Sequence, residues 1–356
     1  MKKVWGVLCA LMFNFIVAFA LSGVSGFDVS TLMGSGFVLS MLPMVPAGTL
    51  GMAIQKEIWL NSIVEGLFAN NSFLSKAFNA DEFVNAGKVV HIPNAGAGSG
   101  VSKNRSVKPA TVGERTDNDL YFNLDEFTTD PINIPYADQV ELSYNKRESV
   151  IKGDKAKLIE SVSNDIIYQW SPADDYTILT TGGSVAAHTA SATGTRKLFT
   201  KADVLTAMNN FNGKDIPQVG RYLLVDAVMY GQLLESLTTQ EAMAFHSLLD
   251  IKNGILGNLY SFNVMMRSKA GLYTTAIVPK LWTATGAATD KAAALAWHEG
   301  SVCRALGQTE MFESIKDPLY YGDIYSFLVR AGGRPMRSGV EGLLAMVQDV
   351  YTAPVG

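Results

Sequence analysis

The sequence predicts an α+β fold in which a charged hairpin and one long helix precede a mixed sheet. Three observations carry that expectation. Asn145 to Trp170 places Ile151, Leu158, Val162 and Ile166 on one apolar stripe, with Lys and Glu opposite. Gly87 to Tyr136 reads as a strand, a charged loop and returning strands. Arg221 to Asp226 (RYLLVD) is a buried-type strand that runs directly into a helix, as in a βα unit.

Composition limits what such a chain can be. Of 356 residues, 48% are hydrophobic and 17% charged, below the roughly 25% charged of ordinary soluble domains, and the mean hydropathy is +0.14. Apolar surface on this scale calls for cover by other chains or lipid, or for an unusually large core. Disorder of the whole is excluded, since it goes with low hydrophobicity and high net charge. A net charge of −4 supplies no basic field for a nucleic-acid backbone. Cys9 and Cys303 cannot build a disulfide framework, and His91, His188, His246 and His298 show no HxxxH or HExxH spacing for zinc.

The elements follow in order. Val4 to Leu21 is apolar apart from Asn14 and follows Lys2 and Lys3, with Ala18-Phe19-Ala20 as a cleavage-like site. It fits a signal peptide or membrane anchor, a hydrophobic arm buried against neighbouring subunits, or a core helix. A second apolar run, Val29 to Val45, is broken by Gly34, Gly36 and Pro43, and makes a poor membrane span. Lys56 to Phe78 has helical spacing at Ile58, Trp59, Ile63 and Leu67 until Asn70-Asn71 breaks it. Gly87 to Pro93 is a strand, and a Gly-rich stretch and a mixed-charge segment from Lys103 to Asp119 follow it. Leu120 to Leu124 and Pro131 to Tyr136 return, so the whole reads as a long projecting hairpin. The Gly-rich stretch lacks both GxGxxG and the P-loop ending.

Pro172 stops the long helix, and Gly153 marks a defect near its start. Gly182 to Thr195 is loop-like. Thr200 and Asp203 form a T-x-x-D cap for a short helix closing near Gly213. A helix is expected over Ala227 to Leu237, a strand over Leu259 to Arg267, and a helix over Ala292 to Ala305. Ile324 to Ala331 reads as a strand, Gly332-Gly333 as a tight turn, and Val340 to Asp349 completes the fold. There is no internal repeat.

No catalytic set emerges. On the expected helix, Glu299 rather than His298 shares a face with Cys303, and a buried small cysteine explains that residue better than a nucleophile. Asp174-Asp175 reads as a solvated turn, and neither Ser99 nor Ser184 sits in a GxSxG elbow. No cofactor or metal is expected.

The order of segments resembles the major capsid proteins of tailed bacteriophages with the Hong Kong 97-type fold, over residues 48 to 350. KEIWLNSIVEGLFANNSFL resembles their N-terminal arm and helix, and GKVVHIPNAG through PINIPY their extended loop. LSYNKRESVIKGDKAKLIESVSNDIIYQW resembles the spine helix, and RYLLVDAVMYGQLLES the axial-domain strand and helix. ALAWHEGSVCRALGQTE and YYGDIYSFLVRAGGRPMRSGVEGLLAM resemble the closing part.

The resemblance implies a division into residues 1–47 (apolar arm or leader), 48–85 (helical arm), 86–136 (extended loop), 137–172 (peripheral domain with spine helix), 173–318 (axial domain) and 319–356 (the closing strand, turn and helix). It implies a structural subunit that assembles with itself into pentamers and hexamers around packaged DNA held non-specifically. Scaffold, portal and decoration proteins would be further partners, and a membrane would be met only through residues 4–21. The expected location is the virion, with assembly in the host cytoplasm. A signal-like leader departs from that pattern, so residues 1–47 are read as a lineage-specific arm or processed leader. At the loop tip, Lys103, Arg105, Lys108, Glu114 and Arg115 are the expected inter-subunit contacts. No local motif marks Lys103 or Lys108 for covalent cross-linking. An encapsulin-like nanocompartment shell, an exported envelope-associated binding protein, and a hydrolase using Cys303 or Asp174-Asp175 remain as alternatives.

Overall fold

A computed structural model describes residues 62–67, 71–85, 88–94, 118–135, 146–337 and 339–352, with positions 101, 103–106, 108, 109 and 112 of the hairpin loop. All belong to the unit Leu60–Gly356. The expected arm or leader (1–47), Ile58, Trp59, Ser99, Glu114 and Arg115 lie outside the described residues.

The expected helix over Lys56 to Phe78 is shorter in its described part. Residues 62–67 are helical and bury Ile63 and Leu67, whereas Ser72–Lys76 is a 3₁₀ turn that leads into β1 (Phe78–Asn79). After a second 3₁₀ turn come β2 (Val84–Asn85), β3 (Val89–Asn94) and β4 (Asn118–Asn123). β3 and β4 pair antiparallel from Val89↔Asn123 to Asn94↔Asn118, with β2 on the far side of β3, so the expected hairpin is present. Its base is fixed by Val90, Ile92, Phe122 and Leu124, buried against Cys303 and Ala305. β5 (Asp125–Thr128) falls between the two expected returning strands. Both it and β6 (Ile132–Pro135) leave the hairpin to pair with a long later strand.

The long helix α1 (Lys146–Trp170) runs unbroken through Gly153, which has open space around it and therefore marks no start. Its stripe Ile151, Leu158, Val162 and Ile166 is buried, as expected, and Ile159, Ile167 and Trp170 widen it. β7 (Thr177–Leu179) follows. The segment expected as loop holds a small hairpin of β8 (Ser184–Ala186) and β9 (Thr195–Lys197). α2 (Lys201–Gly213) starts with the capping box expected at Thr200 and Asp203, and β10 (Arg221–Asp226) runs into α3 (Ala227–Ser236). α4 (Thr239–His246) carries its own capping box, Thr238 with Glu241, a T-x-x-E signal open to reading in the sequence.

The single strand expected over Leu259 to Arg267 is the end of β11 (Ile255–Leu259) and all of β12 (Phe262–Arg267). Tyr260 and Ser261 both take positive φ, 48° and 70°, and make a two-residue turn between paired Leu259 and Phe262. β13 (Gly271–Tyr273) precedes β14 (Lys291–His298) and β15 (Val302–Asp317). These two strands overturn the helix expected over Ala292 to Ala305. Alanine favours helix locally, but β14 is paired with β10, β13 and β17, and tertiary pairing prevails. β16 (Gly322–Pro335) contains Gly332-Gly333 as strand residues instead of a turn, and β17 (Leu343–Val347) ends the described fold.

Two large sheets result. One has the order β1-β15-β16-β5, with β6 also on β16, and α1 lies on it. The long antiparallel ribbon β15–β16 is its centre. The other has the order β11-β12-β10-β14-β17-β7, with β13 on β14. β10 runs parallel to β12, the mixed sheet expected of the βα unit. One face of this sheet, with Leu223, Val225, Val264, Ala294 and Met346, packs beneath Phe211, Met229 and Phe245 of α2, α3 and α4.

Candidate functional site

The catalytic alternatives come apart first. Cys303 lies in β15, while His298 ends β14 and Glu299 stands in the turn between them. The thiol is buried and donates to the Arg334 carbonyl at 3.3 Å, and burial pushes its pKa up to about 11. A thiolate nucleophile is disfavoured there. Asp174 and Asp175 occupy an exposed 3₁₀ turn and Ser184 is exposed in β8. Among the described residues no group of three His, Cys, Asp or Glu is placed to hold a metal, and no helix is long and apolar enough to cross a membrane.

What the fold does build is two projecting ends and a joint. The first end is the β3–β4 hairpin. Lys103, Arg105 and Lys108 are all exposed on its loop, and none forms an ion pair among the described residues. Val101, Val112 and Tyr121 are exposed with them, and Tyr121 stacks on His91 at 6.2 Å between ring centres.

The second end is the turn of the β15–β16 ribbon. Leu319 is 82% and Tyr321 81% exposed, and Tyr320 is also exposed, so three large apolar side chains crown one tip. The Asn133 side chain donates to the Tyr320 carbonyl at 3.1 Å and anchors the turn to the β6 strand. Sequence reasoning missed this surface, although the run Pro318-Leu319-Tyr320-Tyr321-Gly322 signals a turn with unburied aromatics.

The joint stands where the two large sheets meet, and no strand pairing links them among the described residues. Trp170, the last residue of α1, is fully buried and donates from Nε1 to the Cys303 carbonyl at 2.9 Å. Its ring lies 5.7 Å from Trp297 of β14 and edge-on to Phe73 at 5.8 Å. Gly333 makes this possible: a Cβ there would stand 2.7 Å from Trp170 Nε1 and 2.9 Å from the Cys303 oxygen.

The segment from Asn71 to Asp81 straps across the same place. Trp297 Nε1 donates to the Lys76 carbonyl at 2.9 Å. Arg304 of β15 donates to the Leu74 carbonyl and to both Asp81 oxygens at 3.0–3.3 Å. Arg267 of β12 donates through Nε to Asn71 Oδ1 at 3.0 Å and through Nη1 to Asn164 Oδ1 of α1 at 2.5 Å, with Phe73 beside its guanidinium. Burial lowers the Arg267 pKa to about 10, so it remains a cation at neutral pH.

No protein-family model matches the sequence, and no curated protein matches it. Solved structures do match. A chain from the capsid of Ralstonia phage GP4 superposes with TM-score 0.55 at 11% identity, over 79% of this chain and 89% of that one. A chain from the head structure of Helicobacter pylori bacteriophage KHP40 gives 0.53 at 12% identity, over 80% and 91%. A chain from the capsid structure of the Cyanophage P-SCSP1u gives 0.52 at 15%, over 78% and 87%. The protein therefore has the mixed α+β fold of these phage capsid chains.

Proposed function

We propose that the protein is the major capsid protein of a tailed bacteriophage, of the Hong Kong 97 type, whose copies build the icosahedral shell around double-stranded DNA. The observation that carries the reading is the superposition of about four-fifths of the chain on phage capsid chains that are themselves nearly covered. The function is mechanical, and the subunit works as a structural unit of the virion, assembled in the host cytoplasm.

In this reading residues 86–136 form the extended loop, α1 is the spine helix of a peripheral domain over 137–172, and 173–318 belong to an axial domain. Residues 1–47 are an arm or leader, 48–85 a helical arm, and 319–356 the closing segment. Lys103, Arg105, Lys108, Glu114 and Arg115 meet charges of an adjacent subunit. Rim pairs of this kind are worth about 0–1 kcal/mol each, so they set register more than strength. The apolar crown Leu319-Tyr320-Tyr321 adds buried area to a contact between copies. An acidic chain holds packaged DNA loosely, in keeping with later release.

Charge reversal at Arg105 together with Arg115 tests the loop contact. Impaired shell assembly by a subunit with unchanged circular dichroism and melting temperature is the expected result. Normal shells from that double variant would sink the contact.

A further inference from the structure

The two large sheets meet through several groups, and three of these act together at one place. Besides the chain crossings from α1 to β7, from β14 to β15 and from β16 to β17, the Lys269–Glu160 ion pair and the bond from the Tyr273 hydroxyl to the Pro172 carbonyl, three parts join the two sheets. They are the Trp170–Trp297–Phe73 cluster, the strap Asn71–Asp81, and the two arginines that clasp the strap. Arg304 reaches the strap from the ribbon sheet, and Arg267 reaches it from the seven-stranded sheet. Trp297 and Arg267 both project from the face of the seven-stranded sheet opposite α2, α3 and α4. The strap joins the ribbon sheet through β1, paired with β15, and from there touches the seven-stranded sheet and the end of α1 at once. Gly254, at φ 73°, lets Ser72 close onto the turn before β11, where a Cβ would stand 2.0 Å from the Ser72 hydroxyl.

We propose that the strap Asn71–Asp81 is the device that fixes the angle between the two sheets, with Arg267 and Arg304 as its positioning residues, and that this angle sets the curvature of the assembled shell. The argument is geometric. Packed surfaces without shared strand pairing slide or rotate at low cost unless polar groups fix their register, and hydrogen bonds to a charged guanidinium are the stronger kind. Arg267 binds two neutral amide oxygens from separate elements, Asn71 and Asn164, so it ties strap, helix and sheet together, with the Glu160 carboxylate of α1 near its charge. In a closed shell the angles of many copies add up to one curvature, so a few degrees of freedom there become a spread of diameters. This last step rests on the capsid reading; the joint itself does not.

The test uses full-length subunits with nitroxides at Leu319→Cys on the ribbon tip and Met243→Cys on α4, both exposed, with Cys9→Ser and the buried Cys303 retained. Double electron–electron resonance on unassembled subunits gives the distance distribution between the sheets, and electron microscopy of unlabelled shells gives their diameters. Asn71→Ala and Arg267→Lys are the variants, each first checked for native circular dichroism, because Arg267→Ala removes a buried cation and risks unfolding. A narrow distribution in the parent that broadens in both variants, with shells of mixed diameter, is expected. An unchanged distribution would overturn the joint. A broadened distribution with shells of parental diameter would overturn the link from angle to curvature. Failure of the parent to form shells with its partner proteins would count against the capsid reading alone, since the distance measurement still decides the joint.

Discussion

The two large sheets bury themselves by different means. In the seven-stranded sheet, β10 and β17 are buried at every residue and β14 at all but its last. Helices cover one face of that sheet, while Trp297 and Tyr222 pack together on the other. In the ribbon sheet, β15 is buried over its first four residues and then turns largely to solvent toward an apolar tip. The first sheet is a finished core; the second is a core at one end and an unfinished surface at the other. Stability and assembly are therefore expected to separate along the chain, and substitutions can test how cleanly.

The largest effect should come where the two regions meet. Trp170→Ala removes a fully buried ring and its bond to Cys303, at a cost of about 3–5 kcal/mol in denaturant titration. Asp203→Ala, inside the finished core, should cost about 2 kcal/mol, because the nearly fully buried carboxylate caps α2 at Thr200 and also accepts from Thr181.

Asp165 on α1 offers a pH test of the ribbon side. Burial, and then the nearby Asp125 charge, push its carboxyl up to about 6, and one of its oxygens is buried without a partner among the described residues. The folded state thus holds the proton more tightly than the unfolded chain, whose carboxyl titrates near 4. This contribution is intact below about pH 4 and fades as pH rises toward 6. Asp165→Asn should flatten the melting temperature over that window and raise stability at pH 7 by about 1 kcal/mol, allowing for solvent screening. An unchanged pH profile would contradict it. The smallest effect on stability belongs to the tip. Leu319→Ser with Tyr321→Ser should leave unfolding within about 0.5 kcal/mol of the parent while lowering the yield of shells.

Local signals were legible and distant ones were not. The stripe of α1 and the capping box at Thr200 and Asp203 depend on residues three or four apart, and both stand in the structure as read. Ala292 to Ala305 misleads because alanine's helix propensity is local, whereas burial between β10 and β17 is set by partners 71 to 77 and 46 to 54 positions away. Gly332-Gly333 looks like a turn because the reason for Gly333 is Trp170, 163 positions before it, and Gly332 faces Leu124. The joint was illegible for the same cause: Trp297 meets Lys76 across 221 positions and Arg267 meets Asn71 across 196. The hairpin was legible because charge clustering between strands needs no distant partner, and Lys103, Arg105 and Lys108 are exposed on its loop.

Electron microscopy of the protein produced together with its neighbouring genes tests the central claim most directly, with intact mass showing whether residues 1–47 are retained. Closed shells of one diameter are the predicted result. A subunit that stays monomeric with those partners present would contradict it.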